Sequence, residues 1–178
     1  FSTEPGITRP LRDSLGPYCD NLAISRLVMG WLDDAALIED FRLQGLWEAR
    51  AAIRLVNDYG FRAVFTKWHA FDKFYHFFMQ KVDPVALNYD PREFDRYEAI
   101  HQGILRIADE MVGAVLDGLR DDTSLVVISD HGLMASRRAA WVNRFLVKKG
   151  YLCTRKDETG RAMKDARGQV AIDWSRTR

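Results

Sequence analysis

The chain has 178 residues, with 26 Lys and Arg against 25 Asp and Glu and a formal net charge of +1. So small a charge gives no electrostatic basis for binding a nucleic-acid polymer or an anionic membrane. No apolar run approaches the ~18 residues of a membrane span. Hydrophobic residues make up 47% and charged residues 29%, which excludes a disordered chain and predicts one domain with a core of useful size.

Cys19 and Cys153 form no CxxC and predict neither a disulfide framework nor a cysteine metal site. The chain opens on Phe1, carries no signal-peptide pattern and stops at Arg178 inside a strand-like stretch. Both ends read as cut. The compartment is left open, with the cytoplasm as the default.

Residues 1–20 hold prolines and glycines and read as an irregular or linking segment. Residues 21–178 read as the middle-to-late part of one α/β catalytic domain. Leu22–Trp31 is a short amphipathic stretch. Asp33 and Asp34 precede a long helical pattern from Ala35 to about Tyr59, with Leu37, Phe41, Leu46, Ala49, Ile53 and Val56 on its stripe and Gly60 as a stop. Phe61–Thr66 is a candidate strand. It leads into an aromatic helix that ends at Asp83-Pro84.

Arg92 to Leu119 predicts a second long helix, striped by Phe94, Tyr97, Ile100, Ile104, Ile107, Met111 and Val115. His101 lies off that stripe and reads as surface. Leu125–Ser129 is a short, mostly β-branched run expected as a buried strand. Arg137 to Lys149 predicts a helix closed by Gly150. Tyr151–Thr154 and Val170–Ser175 are strand-like, with a polar loop or hairpin tip over Lys156–Gly168. No internal repeat is read. Strands alternating with helices predict a mostly parallel sheet covered on both faces.

Two acid–imidazole couples stand out. Asp72 and His76 are four residues apart, so on a helix they share one face within reach of one cation. Asp130 and His131 follow the Leu125–Ser129 run, and Gly132 lets the chain turn there. Ligands in open α/β sheets bind beyond the carboxyl ends of strands, so two strand exits would bring both couples to one edge. Taken singly, each couple is equally an ordinary hydrogen-bonded pair or a capped turn. Trp68 and His69 precede Asp72 and are candidates for a pocket wall or for orienting that ligand, with core packing as the plain alternative for Trp68. Lys67, Lys73, Arg137 and Arg138 are candidates to meet a phosphate, or else solvated surface charges.

The segment FTKWHAFDKFYHFFMQKVDP resembles the Asp-x-x-x-His helix of the alkaline phosphatase superfamily, in its type I phosphodiesterase/nucleotide pyrophosphatase branch. LVVISDHGLM resembles the same family's Ser-Asp-His-Gly strand end. WVNRFLVKKGYL and VAIDWSRT resemble the segments that follow. The resemblance implies a three-layer α/β/α sandwich, alkaline-phosphatase-like and incomplete at both ends. It also implies two divalent metal ions, zinc or alternatively manganese. Asp72 and His76 would ligate one, Asp130 and His131 the other.

The implied substrate is a small-molecule phosphate ester, a phosphodiester or nucleotide pyrophosphate. The family's Thr or Ser nucleophile, its upstream acidic ligand and its C-terminal His cannot be placed here. Thr3 and Thr8 lack a preceding strand, while His69 and His101 lie in the wrong part of the chain. The isolated chain is therefore expected to be inactive. The competing expectations are an inactive fragment or binding module of the same fold, and an unrelated α/β domain holding two separate structural pairs.

Overall fold

The computed structural model describes residues 5–18, 23–136, 138 and 140–177. Thr3, Cys19, Leu22 and Arg137 lie outside them. Helices in chain order are α1 (Pro5–Leu15), α2 (Ala23–Val28), α3 (Asp34–Asn57), α4 (Ala70–Val82), α5 (Pro91–Gly118) and α6 (Val142–Lys148). The chain divides into two compact units, Phe1–Ala135 and Ser136–Arg178.

The long helices of the first unit begin where local chemistry starts them. Asp33 caps α3, its carboxylate accepting from the Ala36 N–H at 2.8 Å, with Asp34 favourably placed in the first turn. Asp90 caps α5 by accepting from Arg92 N at 3.0 Å, and Pro91 follows where a missing N–H costs nothing. Gly60, at φ 69°, ends the run after α3 in a conformation that a Cβ would strain.

α3 and α5 run parallel to each other. Arg96 near the start of α5 grips Asp34 at the start of α3 through two bonds of 2.7 Å. Arg42 pairs with Glu110 midway. Asn57 Nδ2 donates to the Gly118 carbonyl at the far ends, at 2.7 Å. Glycines let the helices approach: a Cβ on Gly103 would lie 3.0 Å from Ile38, and one on Gly118 2.6 Å from Ile53. α4 packs beside them. Leu37, Phe41, Phe74, Phe78, Ile100, Ile104 and Ile107 form the shared core. Periodicity therefore locates α3 and α5 to within two residues of the expected ends, and α4 stops at Val82, just before the expected Asp83-Pro84.

The expected fold class is overturned. Helix accounts for 53% of the structure and no sheet forms among the described residues, which conflicts with a three-layer α/β/α sandwich with a mostly parallel sheet. Phe61–Thr66 and Leu125–Ser129 are not strands. A strand exists only through a neighbour's hydrogen bonds, and these runs have no ladder partner among the described residues. Their apolar side chains stay in the open: Ile128 is 81% exposed and Phe65 92%.

The irregular segment expected over residues 1–20 contains α1, which tolerates Pro10 inside it. Trp47 Nε1 donates to the Gly16 carbonyl at 3.0 Å just beyond that helix, and the Tyr18 ring packs tilted against Trp47 with centroids 4.9 Å apart. The helix expected over 137–149 is the shorter α6.

In the second unit α6 ends at Gly150, φ 75°. Beyond it lies a repeat that the sequence reading missed. Asp157, Asp165 and Asp173 recur every eight residues, and each carboxylate accepts the N–H two residues on, from Thr159, Arg167 and Ser175. Gly160 and Gly168, at φ 80° and 74°, close the first two turns. Arg155, Met163 and Ala171, again eight apart, bond cyclically: Met163 N to Arg155 O, Ala171 N to Met163 O and Arg155 N to Ala171 O, each at 2.9 Å. Tyr151–Thr154 and Val170–Ser175 thus contribute isolated antiparallel bridges, such as Thr154 with Ile172, and not strands.

Candidate metal centre

Asp72 and His76 lie one turn apart on α4, as their spacing predicts. The helix turns its aromatic side inward, burying Phe74 and Phe78, which leaves the Asp72–His76 face outward. Asp72 Oδ1 is 3.4 Å from His76 Nε2. Asp130 and His131 follow the extended run after α5. The structure brings both couples together: His131 Nε2 lies 3.7 Å from Asp130 Oδ2 and 4.0 Å from Asp72 Oδ1.

The orientation of His131 is held locally. Its Nδ1 lies 3.2 Å from the Gly132 carbonyl, which can only accept, so Nδ1 carries the proton in the neutral ring. The bare Nε2 then faces carboxylates, an unfavourable meeting of lone pairs unless a proton or a cation comes between them. The Ser129 hydroxyl donates to the His131 carbonyl at 2.8 Å, and the His131 N–H donates to Asp130 Oδ1 at 3.1 Å.

Lys67 reaches in from the extended segment before α4. Its ammonium donates to Asp130 Oδ2 at 2.8 Å. That bond holds the Asp130 carboxyl below the usual carboxylate range and raises the Lys67 ammonium above its own.

Two carboxylates and two imidazoles suit zinc or a similar ion in kind. Donors that share a tetrahedral ion with bonds near 2.0 Å sit about 3.3 Å apart, close to the 3.4 Å between Asp72 and His76. Among the described residues no three such groups already converge into a cage. The residues fit a divalent ion pairwise, as an open half-site.

The neighbours behave differently from one another. Trp68 wedges into the core, edge-on to Phe41 and Phe71 with centroids 6.4 and 5.8 Å away, and its Nε1 is buried without a partner. It packs against the core. His69 is the exposed residue before α4 and supplies no side-chain cap. Lys73 is half-buried on α4, and Arg138 belongs to the second unit.

His101 is the residue the sequence misplaced. It is half-buried, with Nε2 2.8 Å from the Tyr75 hydroxyl, Nδ1 3.4 Å from Glu98, and its ring stacked on Phe74 at 5.5 Å. Its i+3 relation to Glu98 was the available sign.

The acid–imidazole pair of α4 and the pair after α5 thus lie side by side, with all four side chains reached by solvent. The family model for type I phosphodiesterase / nucleotide pyrophosphatase matches residues 9–177, and the chain belongs to that family. No curated protein and no solved structure matches it.

Proposed function

We propose that this chain carries the metal-binding face of a hydrolase that cleaves phosphodiester or nucleotide pyrophosphate bonds. Asp72, His76, Asp130 and His131 hold two divalent ions, zinc or alternatively manganese. The observation that carries this reading is the meeting of the two couples, with His131 Nε2 4.0 Å from Asp72. Their separation in sequence, 58 residues from Asp72 to Asp130, makes that a product of folding and not of chain proximity.

Bound there, such ions would neutralise phosphoryl oxygens and lower the pKa of the attacking oxygen. The chain's own part is to orient. α4 fixes Asp72 and His76 relative to each other, and the Gly132 carbonyl keeps His131 presenting Nε2.

Metal analysis of the purified protein tests this. Bound divalent metal is expected, and it should fall in His76→Ala and in Asp130→Ala. Full retention in both variants would defeat the ligand assignment.

A second reading, an inactive member or binding module, is favoured by one observation. The Thr and Ser hydroxyls nearest the ligands in sequence are committed elsewhere, Thr66 to Glu48 at 2.7 Å and Ser129 to the His131 carbonyl at 2.8 Å. An aryl phosphodiester assay separates the two. On the second reading turnover stays at background while metal is bound. Strong turnover by these 178 residues rejects it.

A further inference from the structure

We propose that Lys67 is a built-in cation that occupies Asp130 until a divalent ion takes its place, and so sets the affinity of the site without ligating. This rests on the reading of Asp72, His76, Asp130 and His131 as metal ligands.

Both oxygens of Asp130 are engaged. Oδ1 accepts from the His131 backbone N–H at 3.1 Å, and Oδ2 accepts from the Lys67 ammonium at 2.8 Å. The first bond is local, between neighbouring residues of the turn. The second ends on a long, flexible stem. Oδ2 is therefore the oxygen that can be given up to a cation, and Lys67 is the group that must leave.

The charges lead to the same conclusion. Asp72 and Asp130 are the acids of two different couples, and the ammonium of Lys67 interacts favourably with both. One positive charge thus offsets two carboxylates that His131 alone, as a neutral ring, would not. A dication at Asp130 would lie within a few ångströms of that ammonium, and like charges so placed repel. Lys67 stabilises the metal-free arrangement and opposes the loaded one.

Departure is easy. Lys67 is 55% and Asp130 58% exposed, so water can solvate each once they part. An exposed pair of this kind is worth little, which makes the device a modest competitor and not a lock.

The experiment measures the zinc dissociation constant by competition with a chromogenic chelator. Wild type, Lys67→Met and Lys67→Arg are each measured alone and in the Asp130→Asn background. Far-ultraviolet circular dichroism checks that the helices are unchanged. Lys67→Met should bind zinc roughly three- to ten-fold more tightly than wild type. Lys67→Arg, which keeps the pair, should bind like wild type. With Asp130→Asn, which itself binds zinc more weakly, the Lys67→Met effect should shrink.

Wild type that binds zinc with Lys67→Met no tighter overturns this inference and leaves the proposed function standing. So does a Lys67→Met effect of equal size in Asp130→Asn, which would make it a general field effect. No zinc on any variant, Lys67→Met included, overturns the metal-site reading and this inference with it.

Discussion

Phe74 has no exposed surface and is touched by Phe78, Tyr75 and the face of His101. Truncating it removes dispersion contacts and leaves a cavity that rigid helices cannot refill. Phe74→Ala should cost about 3–5 kcal/mol, seen as a lower urea midpoint with an unchanged slope.

Glu48 is the opposite kind of buried residue. Its carboxylate accepts from Tyr18 at 2.8 Å and Thr66 at 2.7 Å, joining α3 to the segments on either side. Glu48→Ala removes both bonds, and about 1–3 kcal/mol of stability should be lost by the same measurement. Neither role was legible in full. Phe74 belongs to a visible aromatic stripe, but Glu48 looks in sequence like any charge on an amphipathic helix. His101 was missed for a similar reason: a polar residue off the apolar stripe was assigned to water, whereas the Tyr75 hydroxyl gives it a partner within the packed layer.

The helices were the legible elements, because an apolar stripe and a capping aspartate are local properties of the chain. Asp33 and Asp90 mark their helix starts directly. What the stripe does not reveal is how closely α3 and α5 meet. A Cβ on Gly45 would lie 2.4 Å from Met111 Sδ and 3.3 Å from Trp68 Cε2. The methionine can yield, but the indole behind it is held by Phe41 and Phe71. Gly45→Val should destabilise by roughly 1–3 kcal/mol, readable as a lower melting temperature.

The same helix pair carries a pH dependence. Arg96 holds the Asp34 carboxyl below its ordinary range, Arg42 does so for Glu110, and Arg92 lowers Asp90 to about 2. Folded values below unfolded ones mean that folding favours the ionised forms. Their contribution is complete above the unfolded values near 4 and is lost as the pH falls through the folded ones, toward about 2. The urea midpoint should thus be insensitive to these groups from pH 7 to 5 and decline from about pH 4 to 2. A midpoint that rises over that lower window would contradict the assigned pairs.

At the scale of the molecule, sequence pattern overreached where it needed partners. Leu125–Ile128 has the composition of a buried strand, yet composition cannot supply a neighbouring strand. Among the described residues the Leu125–Ile128 amides make no backbone hydrogen bond. Hydrogen exchange should find them close to unprotected, while Ile100–Ile107 in α5 should show the greatest protection in the first unit. Strong protection at Val126 and Val127 would contradict the unpaired state of this run. The shared face of Asp72 and His76 was more legible than the sheet, because it needs only a helix, and one forms there.

The eight-residue repeat has a further effect on how the chain meets its surroundings. Arg155, Met163 and Ala171 each give one amide and one carbonyl to a circuit of three bonds. A hairpin leaves its outer rail open to a passing peptide, but a circuit has no outer rail. At those three positions this stretch of extended backbone is self-terminating: it cannot seed lateral growth, in contrast to an unpaired run such as Leu125–Ile128, which is the more exposed to association between chains.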